Sequence, residues 1–461
     1  MGSLAPLEWA TVRVGAPPRP LALALLLSAA WPVPSAAAQE VAPWPVGGRT
    51  PAHAAVADGP APPYQVAWET ELEGGPPIAP PVLGAGLLVI VGRSEVAALD
   101  PESGEPVWSV ERAEGTGGAP AVAGDLVLFV EGAPGLDEEM AAEGGTEEEA
   151  SPGVVAVGAA DGEPAWRAEI DSPSAGGVTA AGDRAYVATR AGTLYALDLE
   201  DGSAAWTFPE EPSRERFESA PAVAGGLVLV SGQDVPDRSS FLLALDEETG
   251  ERAWSYRPES IGLGVSSPSE GEGLVVVGTV DERPAASAFD LSGGDDRWTT
   301  PVRLPFTGRQ LPIVTESAVV LADAGGHVYR LDPEDGELLW TFRVPGFLLG
   351  GSPSISGETV LVGDLSGELS AIDLERGLLV WRRSFGDDRV HPVAVDGERI
   401  YVAARGGAVA ALEHDPDGEL LEEPSPTTLF LGRALLNYAG ASAIVAGALM
   451  LAFRLPRMRR A

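Results

Sequence analysis

Apolar residues along this chain come in short runs separated by turn-forming residues. One stretch reads Glu358-Thr-Val-Leu-Val-Gly363, then Glu368-Leu-Ser-Ala-Ile-Asp373, then Leu378-Leu-Val-Trp381. Brief runs rich in Val, Leu and Ile, bounded by Gly, Asp and Ser, predict β-strands. A helical solenoid would need sustained 3.6-residue periodicity, and the repeated region lacks it.

The strands fall into a repeat that is read most easily from its tryptophans. Its units are Ala98-Leu-Asp-Pro-Glu-Ser-Gly-Glu-Pro-Val-Trp108, Val157-Gly-Ala-Ala-Asp-Gly-Glu-Pro-Ala-Trp166, Ala196-Leu-Asp-Leu-Glu-Asp-Gly-Ser-Ala-Ala-Trp206 and Ala244-Leu-Asp-Glu-Glu-Thr-Gly-Glu-Arg-Ala-Trp254. Phe289 to Trp298, Leu331 to Trp340 and Ile372 to Trp381 complete the set. In six of the seven units Asp stands four residues before Gly, and Gly four before Trp; the other has Gly158 in the place of Asp. An Asp oxygen can bond the backbone of a turn, and Gly takes the positive φ that closes it. The indole on the outgoing strand is then placed to fill the gap between neighbouring sheets.

From Trp166 onward the Trp-to-Trp spacings are 40, 48, 44, 42 and 41. That period predicts propeller blades, each a four-stranded sheet. The last hairpin, Val409-Ala-Ala-Leu-Glu413 to Gly418, has no Trp after it, whereas Trp68 in Tyr64-Gln-Val-Ala-Trp-Glu-Thr70 has no hairpin before it. Joining them makes one blade from both ends of the chain and leaves no open sheet edge at the closure. The expectation is therefore an all-β, eight-bladed β-propeller of four-stranded antiparallel blades over residues 64–421, forming a monomeric ring. A six- or seven-bladed ring with one unit unpaired is the alternative.

One spacing departs from the rest: Trp108 to Trp166 is 58 residues. The excess is the Glu-rich stretch 131–151, expected to be a disordered acidic insertion between two strands of the second blade.

The two ends do not follow the repeat. Arg13 and Arg19 precede the apolar run from Leu21 to Ala30, and Ala36 and Ala38 supply a small-residue cleavage pattern, so 1–38 reads as a secretory signal peptide. An uncleaved anchor is the other reading. Ala434 to Phe453 is a 20-residue stretch without charge, followed by Arg454, Arg457, Arg459 and Arg460. Its length matches a bilayer core, and the arginines predict a basic cytoplasmic tail at 454–461, with the propeller on the periplasmic or extracellular side of a cell membrane. A buried C-terminal helix, or a sorting signal that is later removed, shares this layout. Residues 39–63 form a Pro-rich lead-in and 422–433 a linker.

Net charge is −38 and every basic residue is Arg. Such a chain repels phosphate backbones, which argues against nucleic acid as a partner. The absence of cysteine excludes disulfides, thiolate metal sites, thiol nucleophiles and a lipid anchor on an N-terminal Cys.

The Ala-Leu-Asp-x-x-x-Gly-x-x-x-Trp unit, repeated over 64–421, resembles the quinoprotein-type (PQQ-like) β-propeller repeat family. Trp44-Pro-Val-Gly-Gly-Arg-Thr-Pro-Ala-His53 is similar to a lead-in common among such propellers, which implies that 41–63 straps onto the ring. The family holds both dehydrogenases and non-catalytic scaffolds, so the resemblance speaks to fold more than function. Catalytic members imply a quinone held by a vicinal Cys pair, a calcium bound by carboxylate and amide side chains, and an Asp base. Here the Cys pair is impossible, and Asn437 lies inside the expected membrane helix. The non-catalytic, BamB-like branch, which includes the lipoprotein propeller of the outer-membrane β-barrel assembly machinery, implies partner binding through surface loops.

No other constellation points to chemistry. His53, His327, His391 and His414 have no metal-site spacing. Asp332-Pro-Glu-Asp-Gly336 lacks the ligand alternation and distal Glu of a calcium loop. The repeated Asp100, Asp198, Asp246, Asp332 and Asp373 occupy equivalent places and read as turn formers. The expectation is a binding or scaffold propeller with no catalytic, cofactor or metal residues, tethered to a membrane by its C-terminal helix and engaging a protein partner through blade loops. A PQQ-dependent dehydrogenase of alcohols or sugars and a ligand-sensing propeller remain the alternatives.

Overall fold

The computed structural model describes residues 50–421, apart from 51–52, 54, 74, 114–117, 133–150, 175, 210–214, 235–238, 258–263, 281–284, 301–310 and 349–350. Their strands form eight sheets. Blade 1 comprises Val82–Gly84, Leu87–Val91, Glu95–Leu99 and Pro106–Glu111, each strand antiparallel to the next. The same meander builds blades 2 to 7, ending with Ser354–Ser356, Thr359–Gly363, Glu368–Asp373 and Leu379–Ser384 in blade 7.

Blade 8 is the composite one. Ala394–Val395, Ile400–Ala403 and Ala408–His414 come from the C-terminal side, and Tyr64–Glu71 completes the sheet antiparallel to Ala408–His414. The register pairs Tyr64 with His414 and Glu71 with Ala408. Thus the unmatched first Trp and the unmatched last hairpin do share a sheet.

Burial follows position within a blade. Second strands such as Leu87–Val91 and Thr359–Gly363 are buried at every residue, because a neighbouring blade covers each face. Fourth strands lie at the rim and alternate, as in Leu338–Arg343, where alternate residues are exposed. First strands of successive blades touch one another from blade 1 to blade 6, which places them around the axis.

The indoles lock each blade to the next. Trp68 Nε1 donates to the Pro101 carbonyl at 2.9 Å, Trp206 to Glu247 at 3.0 Å and Trp340 to Leu374 at 2.8 Å. Trp108, Trp166, Trp254 and Trp298 make the same bond to the turn of the blade that follows. Each ring also lies over that turn's glycine. Gly250 has φ +74°, and a Cβ there would sit 2.7 Å from the Trp206 ring, so both backbone and space demand glycine. At the closure the turn from Asp415 to Gly418 is one residue shorter, and Pro63 lies against Gly418 instead. Trp381 there meets Tyr64 edge-on, with centroids 5.0 Å apart and planes at 81°.

Three sheets carry a fifth strand that the repeat does not announce. Glu215–Phe217 and Gly264–Val265 pair with the far ends of the long second strands Leu227–Asp234 and Leu274–Val280, in blades 4 and 5. In blade 7 the addition is Val56–Ala57, which runs parallel to Ser354–Ser356 on its axial side.

The acidic insertion leaves blade 2 at Glu131 and returns at Gly153, between the second and third strands. Its residues 133–150 lie outside the described ones, as do the expected signal peptide (1–38), linker (422–433), membrane helix (434–453) and tail (454–461). Among the described residues no helix is long and apolar enough to cross a membrane.

Candidate functional site

Antiparallel order sorts the connections. Turns from first to second and from third to fourth strands gather at one mouth; turns from second to third strands and the connections between blades gather at the other. The first mouth is uniform and acidic. Each of its eight third-to-fourth turns carries at least two carboxylates, as in Asp100, Glu102 and Glu105 or Asp332, Glu334, Asp335 and Glu337. The leading Asp is spent on the turn: Asp100 Oδ1 accepts from the amides of Glu102 and Ser103 at 2.8 Å, and Asp246 Oδ1 from Glu248 and Thr249 at 3.1 and 2.9 Å. These bonds hold the carboxyls below their ordinary range, chiefly through the Ser103 amide for Asp100 and the Thr249 hydroxyl for Asp246. In the calcium-like segment, Asp332 Oδ1 accepts from the Glu334 amide at 2.8 Å in the same manner.

The second mouth is irregular. Its second-to-third connections range from Val91–Glu95 in blade 1 to Glu131–Gly153 in blade 2. Phe347, in the connection from blade 6 to blade 7, is the most exposed large apolar side chain among the described residues, at 59%. Exposed arginines of the same side include Arg343 and Arg383, the latter stacked on Phe385 at 5.5 Å.

One buried polar cluster stands out here. Asp323, fully buried, accepts from the Tyr329 hydroxyl at 2.7 Å and from the His327 amide at 2.9 Å, and His327 Nδ1 lies 3.2 Å away. Burial, helped by Asp323, pushes the Tyr329 phenol up. Asp364, at the same hairpin position in blade 7, accepts from the Ser366 and Glu368 amides at 2.8 and 3.1 Å. The equivalence makes Asp323 a turn former that has gained two neighbours. Among the described residues no three His, Asp or Glu side chains converge as a metal site would require. His414 is far from the others in role: its Nδ1 meets the Ala61 carbonyl at 2.8 Å on the surface.

The axial channel holds the chain's own lead-in. Ile355 donates to the Ala55 carbonyl and Gly357 to the Ala57 carbonyl, both at 2.8 Å, and Ser356 Oγ donates to Pro60 O at 3.0 Å. Ala55 and Ala57 are buried. His53, also buried, has Nδ1 2.9 Å from the Pro268 carbonyl at the start of blade 5's first strand. His391 is buried where blade 8 meets blade 1, its Nε2 3.2 Å from the Pro77 carbonyl. Burial holds both imidazoles down at about 4, so each is neutral near pH 7.

A quinone and its calcium need an open cleft with convergent oxygen donors. His53, Ala55, Val56 and Ala57 instead occupy the axial position with small side chains and a neutral imidazole held against the Pro268 carbonyl. The residues of the channel do not fit that group, and the sequence has no Cys pair to hold it.

The family model described as "Outer membrane protein assembly factor BamB" matches residues 61–145, 151–270 and 238–391. The chain belongs to that family. A BamB of Vibrio cholerae is 32% identical over 234 residues, covering 48% of this chain and 58% of the relative. The chain matches about three fifths of the length of the first curated relatives, at 62%, 58% and 61%. Among solved structures, BamB from Moraxella catarrhalis gives a TM-score of 0.60 at 20% identity, covering 76% of this chain and 100% of that one. A europium-containing methanol dehydrogenase gives 0.61 at 12%, covering 79% and 90%. At those identities both likenesses show the propeller fold alone.

Membership of the BamB family confirms the resemblance read from the repeated Asp, Gly and Trp. The four histidines are dispersed, two of them to opposite sides of the axis. Sequence reading missed the burial of His53 and His391 and the exposure of Phe347. No signal marked them, because each is a single residue outside the repeating unit.

Proposed function

We propose that this chain is a non-catalytic scaffold that binds a protein partner during the assembly of outer-membrane proteins, using the irregular mouth as its contact surface. The observation that carries this reading is the extent of the family match, which runs through the repeats from residue 61 to residue 391. The relatives are described as assembly factors. Binding residues concentrate on variable loops held by a rigid frame, and an exposed Phe on a mouth that also carries exposed arginines has the composition of an interface. The regular mouth, lined by carboxylates and sealed turn by turn with indoles, offers no such variation.

In this reading residues 1–38 are a signal peptide, 39–63 a strap, 422–433 a linker, 434–453 a membrane helix and 454–461 a cytoplasmic tail. The ring then works outside the cytoplasm, held by its C-terminal end. A photo-reactive phenylalanine analogue at position 347, used in intact cells, should give one discrete adduct, identified by mass spectrometry as an outer-membrane assembly protein. The same probe at Leu338, on the opposite side of the rim, should not. A ladder of abundant neighbours from both positions would refute the reading. Dye reduction with alcohols or sugars after addition of quinone and calcium would instead establish the dehydrogenase.

A further inference from the structure

We propose that the N-terminal strap is an acid-released stopper of the axial channel, held in place near neutral pH by the uncharged imidazole of His53. The strap crosses the axis. Its strand Val56–Ala57 pairs with blade 7, whereas His53 reaches the first strands of blades 4 and 5, touching the carbonyls of Pro221 and Pro268. Because first strands run from the irregular mouth toward the acidic one, and Val56–Ala57 is parallel to Ser354–Ser356, this strand too runs toward the acidic mouth.

The strand itself is a weak attachment. It is only two residue pairs long, its bonds including those from the Ile355 and Gly357 amides, and beyond it Ser356 Oγ donates to Pro60 O. Ala55 and Ala57 bury little apolar area, so they add little. His53 therefore matters out of proportion to its size. It is 2% exposed, and its backbone has φ +61°, a left-handed conformation uncommon outside glycine.

The environment of His53 decides the direction of the response. Blade 4 presents the Pro221 carbonyl and blade 5 the Pro268 carbonyl; both favour a protonated ring, and burial outweighs them. Among the described residues no charged side chain contributes. The seated imidazole thus stays neutral down to about pH 4, whereas a released one takes a proton below its ordinary value of about 6.5. Between those limits each fall in pH favours release. Release frees the axial edge of Ser354–Ser356, which can then accept another extended segment.

Hydrogen exchange on the full chain tests this. The amides of Ile355 and Gly357, which donate to the strap, report its seating, and blade 3 strands such as Leu194–Asp198 report the ring. Between pH 7.5 and pH 5.0, after correction for intrinsic exchange, protection of the two reporters should fall about 30-fold and stay below that of blade 3 throughout, so that the opening is local. His53→Gln, neutral at both pH values, should show equal protection at both, and His53→Asn, better suited to the left-handed backbone, should agree. His391→Gln should keep the response. Unchanged reporters in the native chain, reporters that exchange only as fast as blade 3, or a response that survives in both His53 variants would overturn the proposal. If both variants lose blade 3 protection, the native chain and His391→Gln decide it by whether the reporters exchange faster than blade 3.

Discussion

Replacing Trp206 with alanine should lower the stability of the ring by about 3–5 kcal/mol, the usual cost of removing a large aromatic side chain from a packed interior. The indole joins blades 3 and 4 through its face and its ring nitrogen, and Tyr186 of its own blade supports it. Its face covers Gly250, its Nε1 donates to the Glu247 carbonyl at 3.0 Å, and Tyr186 packs against it with centroids 6.0 Å apart. Arg184 also donates to that carbonyl, so loss of the indole bond leaves the oxygen with a partner and most of the cost is packing. Trp206→Phe should accordingly recover more than half of the loss. Denaturant unfolding measures both, as a change in midpoint at constant slope. A loss below about 1 kcal/mol for the alanine variant would mean that the indole is not a wedge between blades.

Acid should weaken the fold through His391. The imidazole is 4% exposed and held at about 4, mainly by burial, with Arg389 and Arg405 acting in the same direction and Asp388 against them. In the unfolded chain it takes a proton near pH 6.5. Stability contributed by the neutral ring is therefore complete above about 6.5, falls as the pH drops from there to about 4, and is level below that. A shift of this size corresponds to about 3 kcal/mol across the window. Unfolding midpoints measured at pH 7 and pH 4.5 should differ less for His391→Gln than for the native chain. An equal difference in both would show that the histidine is hydrated or already charged. The turn aspartates titrate lower still, since their bonds favour the carboxylate, and so act below this window.

How much of this was readable from residues alone depends on repetition. The Asp-to-Gly turn and its Trp occur often enough that each copy supports the others, and Trp68 without a hairpin could be matched to Gly418 without a Trp. The strap could not be read in that way. Val56–Ala57 is too short to show an alternation, and prolines at 60, 62 and 63 look like a linker. Glu215–Phe217, with two charged residues in three, gives no strand signal, and it pairs only because the second strand of blade 4 extends past its neighbours. Nor could sequence choose a mouth. The choice needs the sorting of connections by strand order, which places the regular carboxylate turns on one side and the variable ones, with Phe347, on the other. The buried histidines illustrate the same limit: burial is a property of the closed ring, and one residue carries no period.

Closure by the two chain ends is the claim on which the rest stands. Gln65 and Glu413 lie directly opposite each other in the composite blade, with Gln65 Nε2 donating to Glu413 Oε1 at 3.1 Å. The chain has no cysteine of its own, so Gln65→Cys with Glu413→Cys provides the only two thiols. Mild oxidation of the dilute double variant should form an intrachain disulfide nearly completely, because paired strands bring opposite Cβ atoms within bridging distance. Mass spectrometry after proteolysis would find peptides from the two ends of the repeat region joined. Thiols that stay free, or link only between molecules, would contradict a ring closed by Tyr64–Glu71.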